Sequence, residues 1–406
     1  MKVRIQTYQQ ILMALVLGVI AGVTLPHLAQ YVSWIGQLFM NALTLLIVPI
    51  IFFSIIKGIS GIAMSDPASL KSLGLKTVGL YVVTMSVAIV LGLLLVFAIQ
   101  PGTGVDVSLA DSASASRVQP MTVSDIVVGF IPSNFIYALS QNSTIPVIFI
   151  SVLIGIYVTR IPDPGRRSLL DFFHGGYDLT MEITRMILKF APLGIFAIAF
   201  RQFSQVADVW SLFAGMAKYL LTVSLGLLIH TFVVLPLLLK FGFGISPVKH
   251  LRNMSEPLMT AFATASSGAA LPMTLDAVKK KDNVSSRIAD FVIPLGSTIN
   301  MNGAALLECV AVIFIAQAYG VHLDFLHTLL ISVTALLCAI GSAGIPMSAM
   351  VMMVLILSAV GLPTEGIGLV IGVDRILDMM RTAVNVYGDT CVAAMVAKSE
   401  GETLSV

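Results

Sequence analysis

Asp374-Arg375-Ile376-Leu377-Asp378-Met379-Met380-Arg381-Thr382-Ala383-Val384-Asn385-Val386-Tyr387-Gly388-Asp389, preceded by the apolar run 366–373, decides how this chain folds. The lead-in is glycine-rich and the stretch has no proline, so it reads as a membrane-embedded helix. Yet it carries three aspartates and two arginines. Each charge would cost about 2.5–3.5 kcal/mol at a helix centre facing lipid, so a lipid-facing placement fails on the sum. At about 100° per residue, Asp374, Asp378, Arg381, Asn385 and Asp389 fall within an arc of roughly 80°. One stripe of a buried helix is then polar from end to end. A ladder of structural ion pairs is one reading of that stripe. A binding stripe for a charged solute and its cations is the other, and the one adopted.

The rest of the composition supports a membrane setting. Of 406 residues, 57% are hydrophobic and only 11% charged, against about 25% charged in soluble domains. A net charge of +2 leaves no footprint for nucleic acid. Cys309, Cys338 and Cys391 lie in apolar segments without C-x-x-C spacing, which argues against a disulfide frame and a zinc site. The N-terminal run to about Val23 lacks an A-x-A cleavage site and reads as a retained first span.

Apolar segments at 9–30, 33–62, 77–100, 126–159, 168–202 and 210–243 are each long enough to span. Several exceed what a bilayer needs, which predicts tilted or broken helices. The fourth is interrupted at 131–134 and again at 142–146, each time by a proline with Asn and Ser. Lys2, Arg4, Lys71, Lys76, Arg160, Arg166, Arg167, Lys240, Lys249 and Arg252 fall on one side after alternate spans, placing the N-terminus in the cytoplasm. Residues 253–281 hold the tip 261–272 between basic flanks (Lys249 and Arg252; Lys279, Lys280 and Lys281), the pattern of a re-entrant hairpin. Residues 323–359 repeat it around 340–346, and 286–319 crosses once between the two. Paired interrupted segments point to a transport site near the midplane. Free backbone groups and helix ends at such tips can ligate an anion and small cations.

On these residues the chain resembles the dicarboxylate/amino acid:cation symporter family of glutamate, aspartate and neutral amino acid transporters. The resemblance covers nearly the whole length. It is densest at Thr264-Ala265-Ser266-Ser267, Asn300-Met301-Asn302-Gly303, Gly341-Ser342-Ala343-Gly344-Ile345-Pro346 and Asp378 through Asp389. It implies an all-α integral membrane fold: eight transmembrane helices and two re-entrant helical hairpins in inverted repeats, working as an elevator. Residues 1–75 (spans 1 and 2) and 126–205 (spans 4 and 5) become a fixed scaffold. The mobile transport domain comprises 76–100 (span 3), 206–245 (span 6), hairpin 246–281, span 7 at 282–320, hairpin 321–360, and 361–406 (span 8 and a cytoplasmic tail). Residues 101–125 become an extracellular-side connector. A homotrimer in lipid is implied, in a bacterial inner membrane with both termini cytoplasmic.

The resemblance also assigns roles. Arg381 matches the arginine that holds a substrate side-chain carboxylate, a task suited to a guanidinium fork. Asp378 matches the partner of the α-ammonium. Thr382 and Asn385 would bond the ammonium and α-carboxylate, with Ser266, Ser267 and Ile345 at the hairpin tips. One sodium site matches Asp389, Asn385, Asn300 and the Gly296 carbonyl, and a second Thr298 with Ser342 and nearby carbonyls; sodium wants oxygen ligands. The third is weakened, because Asn302 stands where the family has Asp and Met85 where it has Ser, although Tyr81 and Thr84 remain. Glu308 matches the glutamate thought to carry a proton with substrate; a structural Glu bonded to a neighbour is the alternative. Ala304 stands where acidic-substrate members usually carry Thr, and Arg375 supplies a charge either to the site or to the interface.

These matches imply uptake of glutamate or aspartate with co-transported sodium and a possible proton, and no organic cofactor. A neutral amino acid or dicarboxylate carrier of the same family is the alternative. No ring-forming selectivity sequence marks a channel, and no nucleophile–base pair or metal cluster marks an enzyme. The six histidines are expected in loops or interfacial packing.

Overall fold

A computed structural model describes residues 7–63, 68–105, 128, 131–140, 144–205, 209–341 and 348–406. Every described element is helical. In chain order these are α1 (Thr7–Thr24), α2 (Ala29–Ala63), α3 (Ala68–Ile99), α4 (Phe135–Ser140), α5 (Thr144–Val158), α6 (Gly165–Leu188), α7 (Ala191–Gln205) and α8 (Val209–Ile229). Then follow α9 (Pro247–Asn253), α10 (Ser255–Thr264), α11 (Ser267–Lys280), α12 (Ser286–Ile299), α13 (Asn302–Ala318), α14 (Phe325–Gly341), α15 (Ser348–Ala359) and α16 (Ile371–Ser399).

Among the described residues, Pro26–Ser60, Leu73–Ile99, Trp210–Gly242 and Ser286–Ala318 are long and apolar enough to cross a membrane as they stand. The remaining expected spans are shorter, broken or charged. The segment 168–202, expected as one span, is two helices bent by 58°. Pro192 explains the break: proline is accommodated in the first turn of α7 but would disrupt a helix interior. In the sixth span, π-helical turns at His230–Val234 and Leu238–Gly242 flank Pro236. The lead-in to the last span also differs from expectation. Thr364–Leu369 is a 3₁₀ turn, and regular helix starts at Ile371 once the glycine-rich run is past.

Apolar surface sorts these helices. Met13, Val16, Leu17 and Ile20 on α1, and Val83, Val87, Val90 and Leu94 on α3, are exposed at helical spacing, as lipid-facing stripes require. The other face of α3 buries Tyr81, Thr84, Met85 and Ala88. Helix α13 has no outward face at all: each residue from Asn302 to Ala316 is buried. It packs against α3, α8, α14, α15 and α16 and so forms the axis of the C-terminal half.

The first hairpin leaves from the end at which it enters. Asn253 Nδ2, at its start, donates to the Lys281 carbonyl at its finish, 3.2 Å away. Lys281 also pairs with Glu256 across the base at 3.4 Å. Between them α10 and α11 turn over at Ala265, whose φ of +49° lies in the left-handed region. The tail closes the same end: Lys76 meets Glu400 at 2.5 Å and Ser405 N donates to the Asp282 carbonyl at 3.0 Å. In the second hairpin α14 and α15 pack together, while its tip, with the expected site residues Ser342 and Ile345, lies outside the described residues. So does the connector from residue 106 onward.

Candidate functional site

The stripe on α16 is buried throughout: Asp374, Asp378, Arg381, Asn385 and Asp389 are each at most 4% exposed. Its upper part pairs within the helix. Arg381 Nε and Nη2 both donate to Asp378 Oδ1, at 2.9 and 2.5 Å. Arg375 Nη1 approaches Asp378 Oδ2 at 3.5 Å, and Thr382 Oγ1 donates to the Asp378 carbonyl at 2.7 Å. The i,i+3 spacing makes the Asp378–Arg381 pair local, so no other element is needed to form it.

The lower part reaches across to a break in the seventh span. The sequence reads 286–319 as one crossing, but α12 stops at Ile299 and α13 starts at Asn302. Asn300 (φ −91°, ψ 82°) and Met301 (φ −109°, ψ 58°) leave the helical region between them. Two asparagines and a glycine within four residues of an apolar run were the available signal, since Asn side chains compete with helix bonds. Gly303 N donates to Asn385 Oδ1 at 2.7 Å, and Asn385 Nδ2 reaches Met301 Sδ at 3.1 Å. Asn300 Nδ2 donates to Asp389 Oδ1 at 2.8 Å. An ion-pair ladder therefore describes the upper half of the stripe and not the lower.

Two glycines permit this approach. A Cβ on Gly296 would lie 2.5 Å from Asp389 Oδ1 and 2.7 Å from the Tyr81 hydroxyl. One on Gly388 would collide with the Asn302 side chain and sit 3.0 Å from Asn300 Nδ2. Thus Gly296, Asn300, Asn385 and Asp389, assigned to one cation site, converge in space. So do Tyr81, Thr84 and Asn302. Thr84 Oγ1 lies 3.2 Å from Asn302 Oδ1, and Tyr81 OH donates to the Val292 carbonyl at 2.7 Å. Among the described residues, Asn302 Nδ2 is buried without a partner. A donor there opposes a cation that a carboxylate would attract.

Ser266 caps α11, accepting from Ala269 N at 3.3 Å, and Ser267 is buried. The two hairpin helices reach the stripe through Ala261 and Ala270, which pack on Val386 beside Asn385. Thr298, by contrast, is exposed and donates to its own helix at Leu295 O, 2.9 Å away. Ala304 is fully buried. Glu308 is fully buried too, and among the described residues neither carboxyl oxygen has a hydrogen-bond partner. An ionised carboxylate without a donor is costly in such a place, and a neutral acid far less so. Of the six histidines, expected in loops or interfacial packing, His230, His250 and His327 are buried.

The sodium:dicarboxylate symporter family model matches residues 8–399. The proton/glutamate-aspartate symporter of Escherichia coli (strain K12) is 31% identical over 410 residues, covering 96% of this chain and 92% of its own. The proton/sodium-glutamate symport protein of Bacillus caldotenax is 33% identical over 403 residues, covering 97% and 94%. Human excitatory amino acid transporter 3 is 32% identical over 454 residues, covering 97% and 86%. With the polar stripe, the broken seventh span and matches of this extent, the chain belongs to the sodium:dicarboxylate symporter family and is a membrane transporter, not an enzyme.

Proposed function

We propose that this protein takes up an acidic amino acid, glutamate or aspartate, together with sodium and a proton carried on Glu308. The observation that carries the reading is the buried Asp378–Arg381 pair. Each charge neutralises the other within one helix turn. A solute bearing an ammonium and a side-chain carboxylate can replace both partners at once, the ammonium meeting Asp378 and the carboxylate the Arg381 fork. A neutral amino acid would satisfy Asp378 and strand the guanidinium. The names of the two bacterial relatives, a glutamate-aspartate and a glutamate symporter, favour the same substrate class.

Asp389, Asn300, Asn385 and the Gly296 region form the principal sodium site. Thr298 with the second hairpin forms another, and the third, at Tyr81, Thr84 and Asn302, is weakened by the amide at Asn302. Spans 3, 6, 7 and 8 with both hairpins move as an elevator against spans 1, 2, 4 and 5, in a homotrimer of the bacterial inner membrane with cytoplasmic termini. The neutral-carrier reading draws on Ala304 alone. Counterflow of labelled aspartate and glutamate in proteoliposomes, across imposed sodium and pH gradients, tests the proposal. Saturable exchange of both, with alanine and serine ignored, is expected; preferential exchange of neutral amino acids would overturn it.

A further inference from the structure

The base of the first hairpin holds a buried polar chain that the solute and cation sites do not use. His250 on α9, Asp282 in the turn after α11 and Thr390 on α16 are each 0% exposed. His250 Nδ1 lies 2.6 Å from Asp282 Oδ2 and Nε2 lies 3.1 Å from Thr390 Oγ1. Asp282 Oδ1 accepts from Asn253 Nδ2 at 2.8 Å. Thr390 Oγ1 gives its own hydrogen to the Tyr387 carbonyl, 2.8 Å away, so it must accept from Nε2. With Nε2 donating to Thr390, the remaining contact, Nδ1 to Oδ2, needs a proton of its own between ring and carboxyl. The ring also packs on Tyr387, centroids 5.6 Å apart. Such a chain has every polar atom committed, and it binds three elements in one register.

What it grips is a single turn of α16. Within residues 387–390, Tyr387 and Thr390 face His250, Gly388 sits against the Asn300–Asn302 break, and Asp389 meets Asn300. The cation carboxylate and the hydroxyl held by His250 are adjacent in sequence. Any rotation or slide of this turn away from His250 displaces Asp389 from Asn300 and Gly296 by a comparable amount.

We propose that His250 is a positioning residue for Asp389: the Asp282–His250–Thr390 chain fixes the turn that presents the sodium carboxylate, tying cation affinity to the base of the first hairpin. This rests on the reading of Asp389 as a sodium ligand. Full-length Thr390→Val, Thr390→Ser and the double variant His250→Phe/Asp282→Leu are compared with wild type in proteoliposomes. The double variant removes both buried partners together, which avoids stranding a charge. Sodium is titrated at saturating aspartate, and aspartate at saturating sodium. The sodium concentration for half-maximal uptake should rise roughly fivefold in Thr390→Val and in the double variant, a size usual for coupled neighbours. Thr390→Ser, which keeps the hydroxyl, should match wild type, and the aspartate KM at saturating sodium should hold in all three. Unshifted sodium curves in Thr390→Val and the double variant, with wild type sodium-dependent, overturn this inference alone, as does an equal shift in both curves. A wild type indifferent to sodium overturns the cation-site reading and this inference with it.

Discussion

The upper and lower halves of the α16 stripe are equally buried but held in different ways. Above, Asp378 and Arg381 satisfy each other along one helix, three residues apart. Below, Asn385 and Asp389 are held by Gly303 and Asn300 from the broken seventh span, and Thr390 by His250 from the hairpin base. A local pair can exchange partners without moving a helix, which suits a site that must accept and release a charged solute. A cross-helix set is pre-oriented by packing, which suits a small cation whose ligands must already be in place. On the proposed function, the exchangeable pair is the solute site and the packed set the cation site.

The sharpest way to break this contrast is at Arg381. Arg381→Cys removes the carboxylate fork and leaves Asp378 with only the longer Arg375 contact, so glutamate and aspartate uptake should fall by about 100-fold or more. Labelled uptake measures it, and persistent acidic transport would refute the division of roles. Asp389→Asn tests the lower half. The sodium concentration for half-maximal uptake should rise by about tenfold or more, as expected on losing a charged ligand, while aspartate still binds at very high sodium.

Three further changes sharpen the contrast with smaller effects. Glu308→Gln fixes a neutral side chain in place of the buried acid, so uptake should vary less than about twofold between pH 6 and 8 while wild type varies more. A variant as pH-dependent as wild type would remove Glu308 from proton coupling. Asn302→Asp replaces the amide beside Thr84 with a carboxylate. It should steepen the sodium dependence of uptake, read as a higher Hill slope in the same titration, and an unchanged slope would place the third cation elsewhere. Ala304→Thr adds a hydroxyl near the start of α13 and should alter the aspartate-to-glutamate preference by about threefold, read from competition between the two labels. No change there would put Ala304 outside the solute site.

The one-dimensional pattern carried much of this protein. Charges spaced along one face of an apolar helix must be buried and matched whatever surrounds them, so the stripe from Asp374 to Asp389 was legible, as were the first hairpin and its Ser266–Ser267 tip. Periodicity reports which face is polar and motif spacing reports which family shares it. Neither reports partners contributed by distant segments. Only the tertiary structure decided that the seventh span breaks at Asn300–Met301 to reach Asp389, that Glu308 meets no donor among the described residues, and that His250 is buried between Asp282 and Thr390. The physical reason is common to all three. A hydrogen bond between residues 89 or 140 positions apart depends on how helices pack, and a local run of side chains does not encode that packing by itself.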